Sequence, residues 1–220
     1  LVAQAIERGD RCVLFDLIGH YMEAFYDPDR DHVLNLNDAR CESWSLFNDC
    51  ESRSEFVNAA TALIPADHGS DGGFWEKAAR TLFVEMCDNL KKKGKGTNRH
   101  LSDELLKASL KKIYESLKGT VADPLISPDA AKMAQSIRAV LNAHAESIRF
   151  LPDNGEPFSI KDWVERDDGN ASILFITARY ADLDMSKSLL TLWMNIAINT
   201  IMTLPHSRQI RTWYIFDELP

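Results

Sequence analysis

Chemistry in this chain is concentrated where a buried apolar run ends in acid: Trp213-Tyr214-Ile215-Phe216-Asp217-Glu218. A strand that delivers adjacent carboxylates is what a Walker B element requires. The first, Asp217, holds Mg²⁺ through water, and the second, Glu218, takes a proton from the water that attacks a γ-phosphate. Adjacent strand residues point to opposite faces, so the two roles need the chain to turn at this point. Leu219-Pro220 supplies such a turn, and an acidic strand end facing solvent is the alternative. A phosphate-binding loop is missing from the 220 residues: Lys93-Gly94-Lys95-Gly96-Thr97 lacks the Gly-x-x-x-x-Gly-Lys-Ser/Thr spacing and follows a helix pattern rather than a strand.

A second candidate is the stretch 90–118, with nine Lys/Arg against three acids, a local +6 in a chain whose net charge is −8. Lys91, Lys92, Lys93 and Lys95 open it as candidates for DNA or an acidic partner, with a solvated helix face as the alternative. Few aromatics interrupt it, so base stacking is not indicated. The acidic total weighs against wholesale wrapping of nucleic acid. Six histidines show no paired metal spacing, and Cys12, Cys41, Cys50 and Cys87 form no C-x-x-C, so neither a zinc site nor a disulfide scaffold is expected. Gly19, three residues after Asp16, supports a tight turn at a strand end.

The elements that position these residues follow from hydrophobic pattern. Cys12–Asp16, His32–Leu36, Ser172–Ala178 and Trp213–Asp217 are near-continuous apolar runs, as in the covered strands of a parallel sheet. The first and last end in Asp on the carboxyl edge, where open α/β sheets bind ligands. Strand 172–178, helix 186–203 and strand 213–217 form one βαβ unit. Between the second and third strands lie roughly 130 residues without a strand signal, too many for a simple crossover. Phe74 to Leu90 recurs at three and four and ends in Lys91-Lys92-Lys93-Gly94. Leu106, Leu110, Ile113 and Leu117 form a second stripe behind Ser102, and Ser127-Pro128-Asp129 opens a third helix that stops at Pro152. The fold class expected is α/β, a partial parallel sheet with a large inserted all-α domain over 48–156, flanked by core segments 1–47 and 157–220.

Leu1–Gly9 reads as the end of a helix stopped by Gly9, and the chain stops just after a strand, so an excerpt from a longer protein is expected, with any P-loop upstream of Leu1. Ser186–Thr203 is too polar for a spanning helix of roughly 20 apolar residues, so a membrane anchor would lie outside the chain.

Several ordered motifs carry a family likeness. They are Val13-Leu14-Phe15-Asp16 with Gly19, Tyr26-Asp27-Pro28, Val33-Leu34-Asn35, and Asp38-Ala39-Arg40-Cys41 with Trp44. Ala62-Leu63-Ile64-Pro65, Phe74-Trp75, Ala78-Ala79-Arg80-Thr81 and Ser136-Ile137-Arg138-Ala139-Val140-Leu141 continue it. Asn154 to Trp163, Leu174-Phe175-Ile176-Thr177 and Phe216-Asp217-Glu218-Leu219-Pro220 complete it. Together they resemble the type IV secretion coupling proteins of the TraD/TraG group. The resemblance implies a membrane-anchored, RecA-like P-loop NTPase, hexameric, at the cytoplasmic face of the bacterial inner membrane. Such a protein uses ATP and Mg²⁺ to move single-stranded DNA in conjugation, linking relaxosome proteins to the type IV secretion channel. It places Asp217 and Glu218 on the Walker B pair and leaves the P-loop without a counterpart, so these 220 residues alone are expected to be inactive. Arg179, after Leu174-Phe175-Ile176-Thr177, sits where a ring neighbour could sense nucleotide. Asp16-Leu17-Ile18-Gly19-His20 and Leu34-Asn35-Leu36-Asn37-Asp38 depart from the family's usual loops and put local loop geometry in doubt. The rival function is a non-catalytic docking module that binds relaxosome or effector proteins through the helical domain.

Overall fold

A computed structural model of the chain describes residues 1–66, 73–205 and 211–217. In chain order the elements are α1 (Val2–Glu7), β1 (Arg11–Asp16), α2 (His20–Phe25), β2 (His32–Leu34), β3 (Ser43–Trp44), α3 (Leu46–Asp49), α4 (Arg53–Leu63) and α5 (Phe74–Lys92). There follow α6 (Asn98–Leu101), a π-helical turn Ser102–Lys107, α7 (Leu110–Leu117), α8 (Asp123–Ile126) and α9 (Ala131–Ala145). The chain then continues with β4 (Pro157–Phe158), α10 (Ile160–Glu165), β5 (Ser172–Ile176), α11 (Leu183–Thr203) and β6 (Thr212–Asp217). Two compact units result, one of Leu1–Trp44 with Asn154–Pro220 and one of Ser45–Asp153.

The first unit is built on a four-stranded sheet in the order β2-β5-β1-β6, every pairing parallel. All five residues of β5 and all six of β1 are buried, which is what apolar runs in strands covered on both faces require. Buried charge marks both ends of β1. At its start Arg11, 1% exposed, donates to Trp163 O and pairs with Asp168 at 2.8 Å. Nearby, the buried Asp31 carboxylate accepts from the Ile173 amide at 2.8 Å and fixes the entry to β5. The turn from α1 into β1 is equally constrained: Gly9 has φ +76°, and a Cβ there would lie 2.7 Å from Gly169 O. A separate parallel pair, β3 with β4, joins Ser43 to Pro157 and Trp44 to Phe158. Trp44 packs edge-on against Trp193 of α11, centroids 5.9 Å apart.

Two strands are shorter than the apolar runs suggest, while β1 and β6 each begin one residue earlier. β2 ends at Leu34 and β5 at Ile176 because Asn35 and Thr177 leave the ladder: the Asn35 carbonyl and side chain accept from the amides of Asp38 and Asn37, and the Thr177 amide closes on Leu34 O. The β3–β4 pair has no sequence signal, being two residues a side.

Among its described residues the regular elements of the second unit are all helical. Its α4 begins with a capping box, Ser52 with Glu55, and α5 buries Ala79, Leu82, Phe83, Met86 and Leu90 along the stripe read from sequence. The expected helix behind Ser102 is instead two pieces. The π-helical turn ends at Ala108, whose ψ of 153° is extended, and α7 starts afresh with Ser109 Oγ accepting from Lys112 N. The third helix also starts later than expected: Pro128–Ala130 is 3₁₀, Ser127 makes no side-chain cap bond, and α9 stops at Ala145 before a 3₁₀ segment Glu146–Phe150.

Candidate functional site

The carboxyl ends of β1 and β6 lie side by side, with Asp16 and Asp217 in register. Both acids therefore reach the edge where open parallel sheets place ligands, and their environments separate them. Asp16 is fully buried. Its Oδ1 accepts from the Gly19 amide at 2.8 Å and its Oδ2 from the Met22 amide at 3.0 Å, while Thr177 Oγ1 donates to its carbonyl. Gly19, at φ +86°, makes the left-handed turn that aims those amides at the carboxylate. Asp16 is thus committed to holding the entry of α2, and the Leu17-Ile18 departure leaves that loop closed. Asp217 ends β6 half-buried. Glu218 lies outside the described residues.

Around this edge the second departing loop is braced by charge. Arg40 donates to both Asp38 oxygens, at 2.8 and 2.6 Å, which holds that carboxyl below the usual carboxylate range despite partial burial. The Arg40 guanidinium also stacks 4.7 Å from the Tyr26 ring centroid. Arg179 follows β5 on the same edge, exposed, with its Nε 2.6 Å from Asp182, and Tyr180 beside it is 83% exposed.

A metal at this edge would have to rely on few protein ligands. Among the described residues no group of three His, Cys, Asp or Glu side chains could cage an ion, and the Asp16 oxygens are occupied by amides. That donor set fits Mg²⁺ held by one carboxylate, waters and substrate phosphates, which is how Mg²⁺ is commonly bound beside nucleotides. Thiol chemistry is disfavoured: burial pushes the Cys12 and Cys41 thiols up to about 11, and Cys87 also rises.

Two further cavities flank the sheet. One of about 890 Å³ opens at the amino ends of β1, β2 and β5, opposite Asp217, and its lining includes the ion pairs Arg11–Asp168 and Arg30–Asp31 and the hydrogen bond between His32 and Glu42. The other, about 370 Å³, is an apolar groove between Phe15, Phe216 and α11. Neither was apparent from sequence, since Arg11, Asp168 and His32 carry no motif.

In the helical unit the four lysines are not equivalent. Lys91 Nζ donates to Cys50 O at 3.0 Å and lies 6.0 Å from the Phe56 ring centroid, while Lys92 pairs with Asp88 at 2.5 Å. Lys93 and Lys95 are exposed. Of the other basic residues in 90–118, Arg99, Lys107 and Lys112 face Asp153, Asp103 and Glu104. Asp103 and Glu104 already enter the net of +6, so of these partners only Asp88 and Asp153, from outside the stretch, offset it, and most of the local positive charge remains.

A parallel core of RecA-like type, a helical unit inserted in it and an acid at the carboxyl end of β6 define the class. The chain belongs to the type IV secretion-system coupling proteins: the family model of their DNA-binding domain matches residues 1–220. Among curated relatives it is 36% identical over 226 residues to the coupling protein TraD of Escherichia coli (strain K12), covering all of this chain and 31% of TraD. Solved structures of the plasmid coupling protein TrwB share the fold. The complex with ADP and Mg²⁺ superposes with a TM-score of 0.85 at 28% identity, over 100% of this chain and 52% of that one. The unbound monoclinic form of the bacterial conjugative coupling protein TrwBdeltaN70 gives 0.83 at 28% identity, over 97% and 49%. The chain therefore spans about a third of TraD and half of the TrwB chains.

Proposed function

We propose that this chain is the part of a conjugative coupling ATPase that carries the Walker B carboxylates and the inserted helical domain. In the whole protein it would act in a hexamer at the cytoplasmic face of the bacterial inner membrane, driving single-stranded DNA from relaxosome proteins toward the secretion channel. The observation that carries the reading is Asp217 at the carboxyl end of β6, in register with an Asp16 whose oxygens are already spent on backbone amides. Membership of the coupling-protein family supports it. Among the described residues no helix is long and apolar enough to cross a membrane, so the membrane attachment proposed belongs to other parts of the protein.

Asp217 would hold Mg²⁺ through water, and Glu218 would accept the proton of the attacking water. Mg-ATP, when bound, supplies the free energy of hydrolysis. Arg179 is proposed to reach a neighbouring subunit's nucleotide, for which its exposed pair with Asp182 is weak enough to exchange. Lys92, Lys93 and Lys95 remain candidates for DNA or protein contact, the exposed pair of Lys92 with Asp88 being weak enough to exchange, whereas Lys91 donates to Cys50 O within the helical unit.

In the full-length protein, Glu218→Gln is expected to retain ATP binding and to lose DNA-stimulated hydrolysis by about 10²-fold or more. Unchanged turnover would remove Glu218 from the role. The 220 residues alone contain no phosphate-cradling Gly-rich loop, so calorimetry should find only weak Mg-ATP binding. Full-length protein that binds no nucleotide would instead favour the docking-module alternative.

A further inference from the structure

We propose that the helical unit holds a binding site for a single phosphate group, in a cavity of about 160 Å³ between the π-helical turn and the segment Ile148–Asp153. Its wall includes Ser102, 2% exposed, whose hydroxyl has no hydrogen-bond partner among the described residues. A helical serine ordinarily returns its hydroxyl to a carbonyl one turn back. Ser102 opens a π-helical turn, a rare geometry frequent at functional sites, and its buried donor is unspent. Leaving such a group unsatisfied shifts the folding equilibrium by about fivefold or more, so a ligand that accepts from it recovers that loss.

Charge decides what that ligand is. Arg99, Lys107 and Arg149 border the cavity with a single carboxylate, Asp153. Each cation has an acid partner: Arg99 with Asp153 at 2.7 Å, Lys107 with Asp103 at 2.9 Å and Arg149 with Glu146 at 3.0 Å. The three cations are 40–70% exposed, and exposed pairs contribute little, so they can turn to a more highly charged anion. Two guanidiniums, an ammonium and a hydroxyl match the acceptors of phosphate better than the two oxygens of a carboxylate. The volume, about 160 Å³, is enough for a phosphate group. The phosphate is either free inorganic phosphate or the diester of a nucleic-acid strand. The site is independent of the nucleotide proposal, and Glu218→Gln should leave it unchanged.

The test is titration of the ¹⁵N-labelled chain at constant ionic strength with inorganic phosphate, a single-stranded oligonucleotide and acetate. Saturable shifts of the Ser102, Lys107 and Arg149 amides with phosphate, and not with acetate, are expected. Competition by the oligonucleotide assigns the diester as the source, and its failure assigns free phosphate. Ser102→Ala should melt no lower than wild type yet bind phosphate about tenfold more weakly, as should the exposed-site variant Lys107→Gln. Non-saturating shifts, equal binding of acetate, or wild-type phosphate affinity in Ser102→Ala would overturn the proposal.

Discussion

At Asp16 two amide hydrogen bonds and full burial tie one side chain to the entry of α2. Asp16→Ala should therefore act on folding, lowering stability by about 1–3 kcal/mol in urea melts, because it removes a buried carboxylate that accepts from two part-buried amides. Asp217→Ala, at a half-buried strand end, should cost less than about 1 kcal/mol of stability while abolishing hydrolysis in the full-length protein. A reversal of this order would mean that the two carboxylates have been given each other's roles. Sequence alone put both acids on the rim. It could not divide them, since the amides of Gly19 and Met22 converge on Asp16 only once the left-handed turn has formed. Arg11 was opaque for a similar reason: a charge at a strand start looks solvated until Asp168 and Trp163 arrive from far along the chain. Lys91 likewise sits in a basic run and looks equivalent to Lys93 in sequence, although its ammonium donates to Cys50 O and lies against the Phe56 ring. Lys91→Glu is expected to destabilise the helical unit, and Lys93→Glu to leave its melting unchanged.

Among the elements, β6 is tied to a titratable carboxyl, that of Asp10. Burial of Asp10 opposes its charge, yet bonds from Trp213 Nε1 at 2.9 Å, the Arg211 amide at 3.2 Å and Arg8 at 2.7 Å together hold its carboxyl below the usual range. A carboxyl lowered on folding contributes stability that is present above its unfolded pKa, near 4, and lost as pH falls through the folded value. Melts followed by Trp fluorescence should show this acid loss, and Asp10→Asn should flatten it. In the helical unit, Ser52→Ala removes half of a capping box and should cost about 1 kcal/mol. Helix α5 was readable because its stripe is long and its stop, Lys93-Gly94, unambiguous. The break between the π-helical turn and α7 was not, because Leu106, Leu110 and Ile113 keep helical spacing across Ala108, and spacing does not register a single extended residue.

For the molecule as a whole, the two-residue strands β3 and β4 matter more than their size suggests. They pair Ser43 with Pro157 and Trp44 with Phe158, so the chain leaves the first unit and re-enters it at adjacent points. Replacing residues 45–153 by a short Gly/Ser linker is therefore expected to leave a cooperatively folding parallel sheet, with circular dichroism losing helix and keeping strand. A non-cooperative melt would show that the core needs its insert. The same clip bears on descent. Loop-closure entropy grows only with the logarithm of the length enclosed, and β3 with β4 fixes the closure whatever lies between. Selection could then lengthen, shorten or exchange the helical cassette while the parallel core drifted at its own pace, so the two units could have separate histories within one gene.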